Sequence, residues 1–136
     1  SEIPAVLPSF NLLNANGETV DLQSFKGKKV FVNLWATWCP PCRAELPSIE
    51  KLYAGTGRNN SEFVMISFDT QFQSALGFAK KSGMKTPVYY PAQQLPDLFN
   101  VEGIPVTFIF NEEGKLIKKI EGASRYDTPE YMEMLK

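Results

Sequence analysis

Residues 31–47 read Phe-Val-Asn-Leu-Trp-Ala-Thr-Trp-Cys-Pro-Pro-Cys-Arg-Ala-Glu-Leu-Pro, and no other stretch limits the fold as much. The run opens apolar, β-branched and aromatic, as a buried strand does. It then passes through Cys39-Pro40-Pro41-Cys42 into a helical pattern with Leu46, Ile49, Leu52 and Tyr53 on one face. A strand, a turn and a helix start therefore carry two thiols. With Cys39 at the helix N-terminus, prolines at the next two positions fit, because the first backbone N–H groups of a helix have no internal acceptor and proline has none to offer. Cys39 and Cys42 then share a face one turn apart, within the roughly 4.4–6.8 Å Cα separation that a disulfide needs. The positive end of the helix favours a thiolate at Cys39, the expected nucleophile. Cys42, one turn deeper, is the expected resolving thiol. Two small core residues, or half of a metal site, are the competing readings. A closed zinc site takes about four N or S ligands. The chain has two cysteines and no histidine, so no metal is expected unless two copies share a site.

The 136 residues suffice for one domain with its own core, expected to span 1–136. A hydrophobic content of 43% with ten phenylalanines indicates a globular chain, and fourteen basic against fifteen acidic residues leave a net charge of −1. That balance offers no electrostatic footprint for nucleic acid or an anionic membrane. No apolar run is long enough for a transmembrane helix. The start at Ser1-Glu2-Ile3-Pro4 suits a processed or trimmed N-terminus.

Ser1 to Ser9, with prolines at 4 and 8, reads as an extended lead-in. Phe10 to Leu13 and Thr19 to Leu22 are short strands about an Asn16-Gly17 hairpin signal, and Gln23 to Lys29 is a turn into the strand Val30 to Trp35. The helix after the thiols is expected to reach about Ala54, kinked at Pro47, with a polar loop over Gly55 to Asn60. Then follow a buried strand Glu62 to Phe68, a helix Phe72 to Lys81 stopped by Ser82-Gly83, a short strand Pro87 to Tyr90 and a short helix Leu95 to Phe99. Val106 to Phe110 and Lys115 to Glu121 pair across a turn, and Thr128-Pro129-Glu130 opens a last helix. This order predicts an α/β chain, a mixed sheet covered by helices on both faces.

The order of elements, the run Asn33 to Pro47, Phe25-Lys26-Gly27-Lys28, Asn111 to Lys115 and Gly103-Ile104-Pro105 together resemble the thioredoxin superfamily. More narrowly, they resemble its TlpA/ResA-like branch of extracytoplasmic thiol-disulfide oxidoreductases. The resemblance covers about Pro8 to Glu121. It implies a thioredoxin-like fold with an N-terminal hairpin and a helix and strand inserted before the later proline-led strand. Pro105 inherits the family's cis peptide bond beside the disulfide, leaving Ile104 to offer its backbone to an extended client; the bland alternative is a proline that starts a strand. Glu45, three positions past Cys42, matches an acid of the branch and would exchange the proton of the resolving thiol, the alternative being a solvated helix glutamate. Plain thioredoxins carry a buried acid six residues before the first cysteine, where this chain has Asn33. Trp35 reads as core, and Trp38 with Pro40 as docking surface beside an exposed thiol. Arg43 reads as an exposed cation with charge to lend the thiolate, and Phe68, Asp69 and Tyr90 as candidates for the rim.

The implied activity is thiol-disulfide exchange at Cys39 and Cys42 with no cofactor beyond that disulfide. It would reduce disulfides of exported proteins, in cytochrome c maturation or more generally. Its partners would be protein thiols and a membrane electron donor, with no nucleic acid, for a monomer outside the cytosol whose signal or anchor has been removed. A thiol peroxidase is the second reading, since Phe10 to Gly27 also resembles the start of peroxiredoxins, although Ala36 stands where that family has Thr or Ser. The third is a non-enzymatic module that holds Cu(I) or a partner on the two thiolates.

Overall fold

The computed structural model describes residues 5–56 and 60–136. The first four residues of the expected lead-in, and residues 57–59 of the expected loop, lie outside it. Among these described residues, seven strands form one sheet in the order β2-β1-β5-β4-β3-β6-β7. They are β1 (Asn11–Leu13), β2 (Thr19–Asp21), β3 (Lys29–Trp35), β4 (Ser61–Ser67), β5 (Val88–Pro91), β6 (Val106–Phe110) and β7 (Leu116–Glu121). β3 lies inside the sheet, parallel to β4 and antiparallel to β6, with Asn33 opposite Met65 on one side and Thr107 on the other. β5 extends the sheet parallel to β4 and hands it on to the antiparallel β1–β2 hairpin.

Period-two alternation sorts the central strands onto two cores. Phe31, Trp35, Phe63, Met65 and Ile109 point to one face, where α1 (Pro40–Thr56), α2 (Phe72–Ser82) and α3 (Pro129–Leu135) cover them. Val30, Val32, Leu34, Val64, Ile66, Phe108 and Phe110 point to the other. There the lead-in residues Leu7 and Phe10 and two 3-10 turns, Leu22–Phe25 and Asp97–Phe99, supply the cover through Leu22 and Phe99. The helices flank the sheet unequally: α-helices on one side, single 3-10 turns on the other. The short helix expected at Leu95 to Phe99 is one of these turns, because Pro96 fixes the backbone in an extended conformation just ahead of it.

Local chemistry sets the element ends. In the hairpin, the Asn14 side chain accepts the N–H groups of Asn16 and Glu18 at 2.9 Å each, so the turn is built on Asn14 as much as on Gly17. Gly83 caps α2 in the left-handed region at φ 71°, with its N–H directed at Ala79 and Lys80 carbonyls. Thr128 caps α3 through Tyr131 N–H, with proline next in line. α1 runs as one helix through Pro47 to Thr56, two residues past the expected end. No helix among the described residues is long and apolar enough to cross a membrane.

Candidate active site

β3 leaves the sheet at Trp35, whose carbonyl accepts the Phe68 N–H at 2.7 Å, and the chain turns through Ala36–Thr37–Trp38 before α1 begins. This turn is clamped at Thr37. Asp69, just past the end of β4, accepts the Thr37 hydroxyl at 2.6 Å and its N–H at 3.2 Å, while the Arg43 guanidinium donates to the Thr37 carbonyl at 2.7 Å. Ser67 donates to the Asp69 carboxylate at 2.7 Å, and the Tyr90 hydroxyl, from β5, donates to the Asp69 carbonyl at 2.7 Å. Asp69 and Tyr90 are therefore not rim residues in the sense expected. Asp69 is only 5% exposed and anchors the loop that carries Trp38 and Cys39. Arg43 is exposed as expected, but its guanidinium donates to a backbone oxygen, that of Thr37.

Cys39 stands immediately before α1 and Cys42 in its first turn, joined in a disulfide with Cα atoms 5.3 Å apart. Pro40 and Pro41 remove the two N–H groups that would open the helix, so the Cys42 N–H is left as the first-turn donor, and it points at Cys39 Sγ at 3.3 Å. A sulfur thus occupies the capping position that a Ser or Asp side chain fills in other helices. An N–H held there stabilises negative charge on that sulfur, as does the end of the helix.

The expected exposure of Cys39 needs correction. The residue is 4% exposed and Cys42 0%, because the loop through Ile104 and Pro105 folds over the pair, with the Ile104 carbonyl oxygen 3.8 Å from Cys39 Sγ. The Ile104–Pro105 peptide bond is cis. Cys39 is reached from a groove of about 440 Å³ lined by Trp38, Pro40, Pro41, Phe68, Val101 and Ile104, with Glu102 at its edge. Trp38, 62% exposed, is the large apolar side chain that this groove offers to solvent, whereas Trp35 is fully buried in the core. Phe68 does line the groove, and Cys42 does not.

Glu45 lies one turn beyond Cys42 on α1 and is 2% exposed. The Asn33 amide donates to its Oε2 at 2.8 Å and the Ser124 N–H to its Oε1 at 3.2 Å. Burial raises its pKa to about 7 against the lowering effect of those two donors. Its outer side lines a second cleft of about 410 Å³ together with Lys51, Ser124, Arg125 and Asp127. The structure thus brings Cys39, Pro40, Ile104 and Trp38 to one groove, with Pro105 buried behind Ile104, and sets Glu45 on another opening. Among the described residues no three Cys, His, Asp or Glu side chains converge as a metal site. Asp69 is the residue whose part the sequence concealed. The available signal was an acid just past the end of the strand that neighbours β3, the place where two parallel strands deliver their loops together.

A sequence profile of the Redoxin family matches residues 4–135. The thiol-disulfide oxidoreductase ResA of Bacillus subtilis (strain 168) is 33% identical over 131 residues, an overlap of 95% of this chain and 73% of that protein. The protein of the same name from Halalkalibacterium halodurans is 29% identical over 130 residues, 94% of this chain and 74% of that one. Among solved structures, StoA from B. subtilis superposes with a TM-score of 0.72 at 26% identity, covering 90% of this chain and 92% of its own. A thioredoxin-family thiol:disulfide interchange protein from Chlorobium tepidum TLS superposes at 0.79 with 27% identity, covering 98% and 97%. With a disulfide-bonded Cys39–Cys42 pair at the head of α1 and likeness along nearly its whole length, this chain belongs to the redoxin family, among the thiol-disulfide oxidoreductases related to ResA.

Proposed function

We propose that this thiol-disulfide oxidoreductase works as a reductase of protein disulfides, with Cys39 as the attacking sulfur and Cys42 as the resolving one. The observation that carries the assignment is the asymmetry of the pair: Cys39 faces the groove and receives the Cys42 N–H, while Cys42 is enclosed. In the reduced protein the Cys39 thiolate attacks one sulfur of a client disulfide, forming a mixed disulfide and expelling the other client sulfur as a thiolate that takes up a proton. The Cys42 thiol gives up its proton and its sulfur attacks Cys39 Sγ. That step releases the second client thiolate and closes the Cys39–Cys42 disulfide, so two electrons have passed to the client. Glu45, poised by burial near neutrality, is the proposed acceptor of the Cys42 proton, and the cleft on its outer side gives that proton an exit to water. Trp38 and Pro40 supply apolar contact to the client, and Ile104, held by Pro105, supplies backbone hydrogen bonds.

An extracytoplasmic setting, exported clients such as cytochrome c precursors, recharging by a membrane dithiol donor and a monomeric state complete the reading. Their support is the resemblance to the TlpA/ResA-like branch. Cys42→Ser is expected to stall the reaction as a client mixed disulfide on Cys39, which mass spectrometry identifies, while Cys39→Ser abolishes dithiothreitol-driven insulin reduction. Equilibration with glutathione and dithiothreitol tests the direction: a potential more oxidising than about −150 mV overturns a reductase, since about 30 mV shifts this two-electron balance by about 1.4 kcal/mol.

A further inference from the structure

Asn33, Glu45, Thr107 and Tyr126 meet in a buried polar cluster drawn from β3, α1, β6 and the segment ahead of α3. The Asn33 Nδ2 donates to Glu45 Oε2 at 2.8 Å and to Thr107 Oγ1 at 2.9 Å, and the Tyr126 hydroxyl bonds to Thr107 Oγ1 at 2.8 Å. Asn33 Oδ1 is buried with no hydrogen-bond partner. The amide is therefore oriented by its donor side alone. A buried acceptor left unpaired costs free energy, which the two bonds at Nδ2 offset, and the bond to Glu45 is the stronger when that carboxyl is ionised.

We propose that Asn33 is a positioning residue for proton transfer: its amide fixes the orientation of the Glu45 carboxyl and sets the pH at which Glu45 accepts the Cys42 proton. This rests on the role given to Glu45 above. The other groups facing Glu45 are the buried Tyr126 phenol and, on the cleft rim, Lys51, Arg125 and Asp127. Asp127 is already paired with both cations, at 3.9 Å to Lys51 and 2.8 Å to Arg125. Without the Asn33 amide, Glu45 keeps its burial and the Ser124 N–H but loses the donor that favours its charged form.

The test is stopped-flow reaction of the reduced protein with dithiobis(nitrobenzoate) across pH. The first thionitrobenzoate reports attack by Cys39, and the second reports closure by Cys42. In Asn33→Ala the midpoint of the second phase moves up by about one to two pH units while the first phase keeps its profile. In Asn33→Asp two carboxyls share one proton and the second phase splits into two steps. Thr107→Val, which frees Asn33 from its second acceptor, moves the midpoint the same way by less, and keeps the test open should Asn33→Ala not fold. Glu45→Gln removes the dependence. A midpoint unmoved in both Asn33→Ala and Thr107→Val, with Glu45→Gln still flattening the profile, overturns the proposal alone. A Glu45→Gln profile identical to wild type overturns the role of Glu45 and this proposal together.

Discussion

Glu45 brings a carboxyl into an interior where the Asn33 amide and Ser124 N–H reach it, and the fold bears a cost whenever that group ionises. Its ordinary value of 4.5 is raised to about 7, so the folded chain holds the proton over a range in which the unfolded chain has lost it. Stability is therefore greatest below about pH 4.5 as far as Glu45 is concerned, declines through about pH 7 and then levels, by roughly 3 kcal/mol in all. Denaturant unfolding of the oxidised protein at pH 5 and pH 8 measures that decline, and Glu45→Gln is expected to lack it. Asp69 behaves as an anchor. Asp69→Ala strands the Thr37 N–H and hydroxyl and is expected to lower stability by about 2–4 kcal/mol, read from the denaturant midpoint. The two carboxylates also differ in how well the sequence announced them. Glu45 stands one helical turn from a cysteine, a local relation. Asp69 meets Thr37 across 32 residues of chain, a relation that exists only once β4 lies beside β3.

The elements most visible in the sequence were those with a long periodic pattern and a chemical stop: β3, β4, α1, and α2 with its Gly83 cap. Their ends moved by a residue or two, since capping bonds and not propensity decide where a ladder stops. Short segments were harder to type. Leu22 was expected to end a strand, Gln23 to Phe25 to lie in a plain turn and Asp97–Phe99 to be part of a helix, yet Leu22–Phe25 and Asp97–Phe99 are single 3-10 turns whose apolar residues lie against the second core. The cap of α3 gives a modest test at this scale: Thr128→Ala removes the side-chain acceptor for Tyr131 N–H and is expected to cost about 1 kcal/mol, again by denaturant midpoint. The inserted α2 and β5 serve the site indirectly. Phe78 of α2 packs at 5.8 Å against Trp35, and Tyr90 of β5 secures the turn that holds Thr37.

Across the whole molecule, the order of strands and helices forecast a mixed sheet covered on both faces, but no local pattern states that β5 stands between β4 and the hairpin, or that the three α-helices of the described residues share one side. Those facts come from long-range pairing, as does the near closure of Cys39 under Ile104, 65 residues away. The groove over Cys39 and the cleft beside Glu45 have no lining residue in common. On the roles proposed above, a client seated in the groove alone would leave the acid's own doorway uncorked, so that hydrogen ions could be traded with bulk solvent while the sulfurs remain engaged, and neither traffic would have to wait for the other.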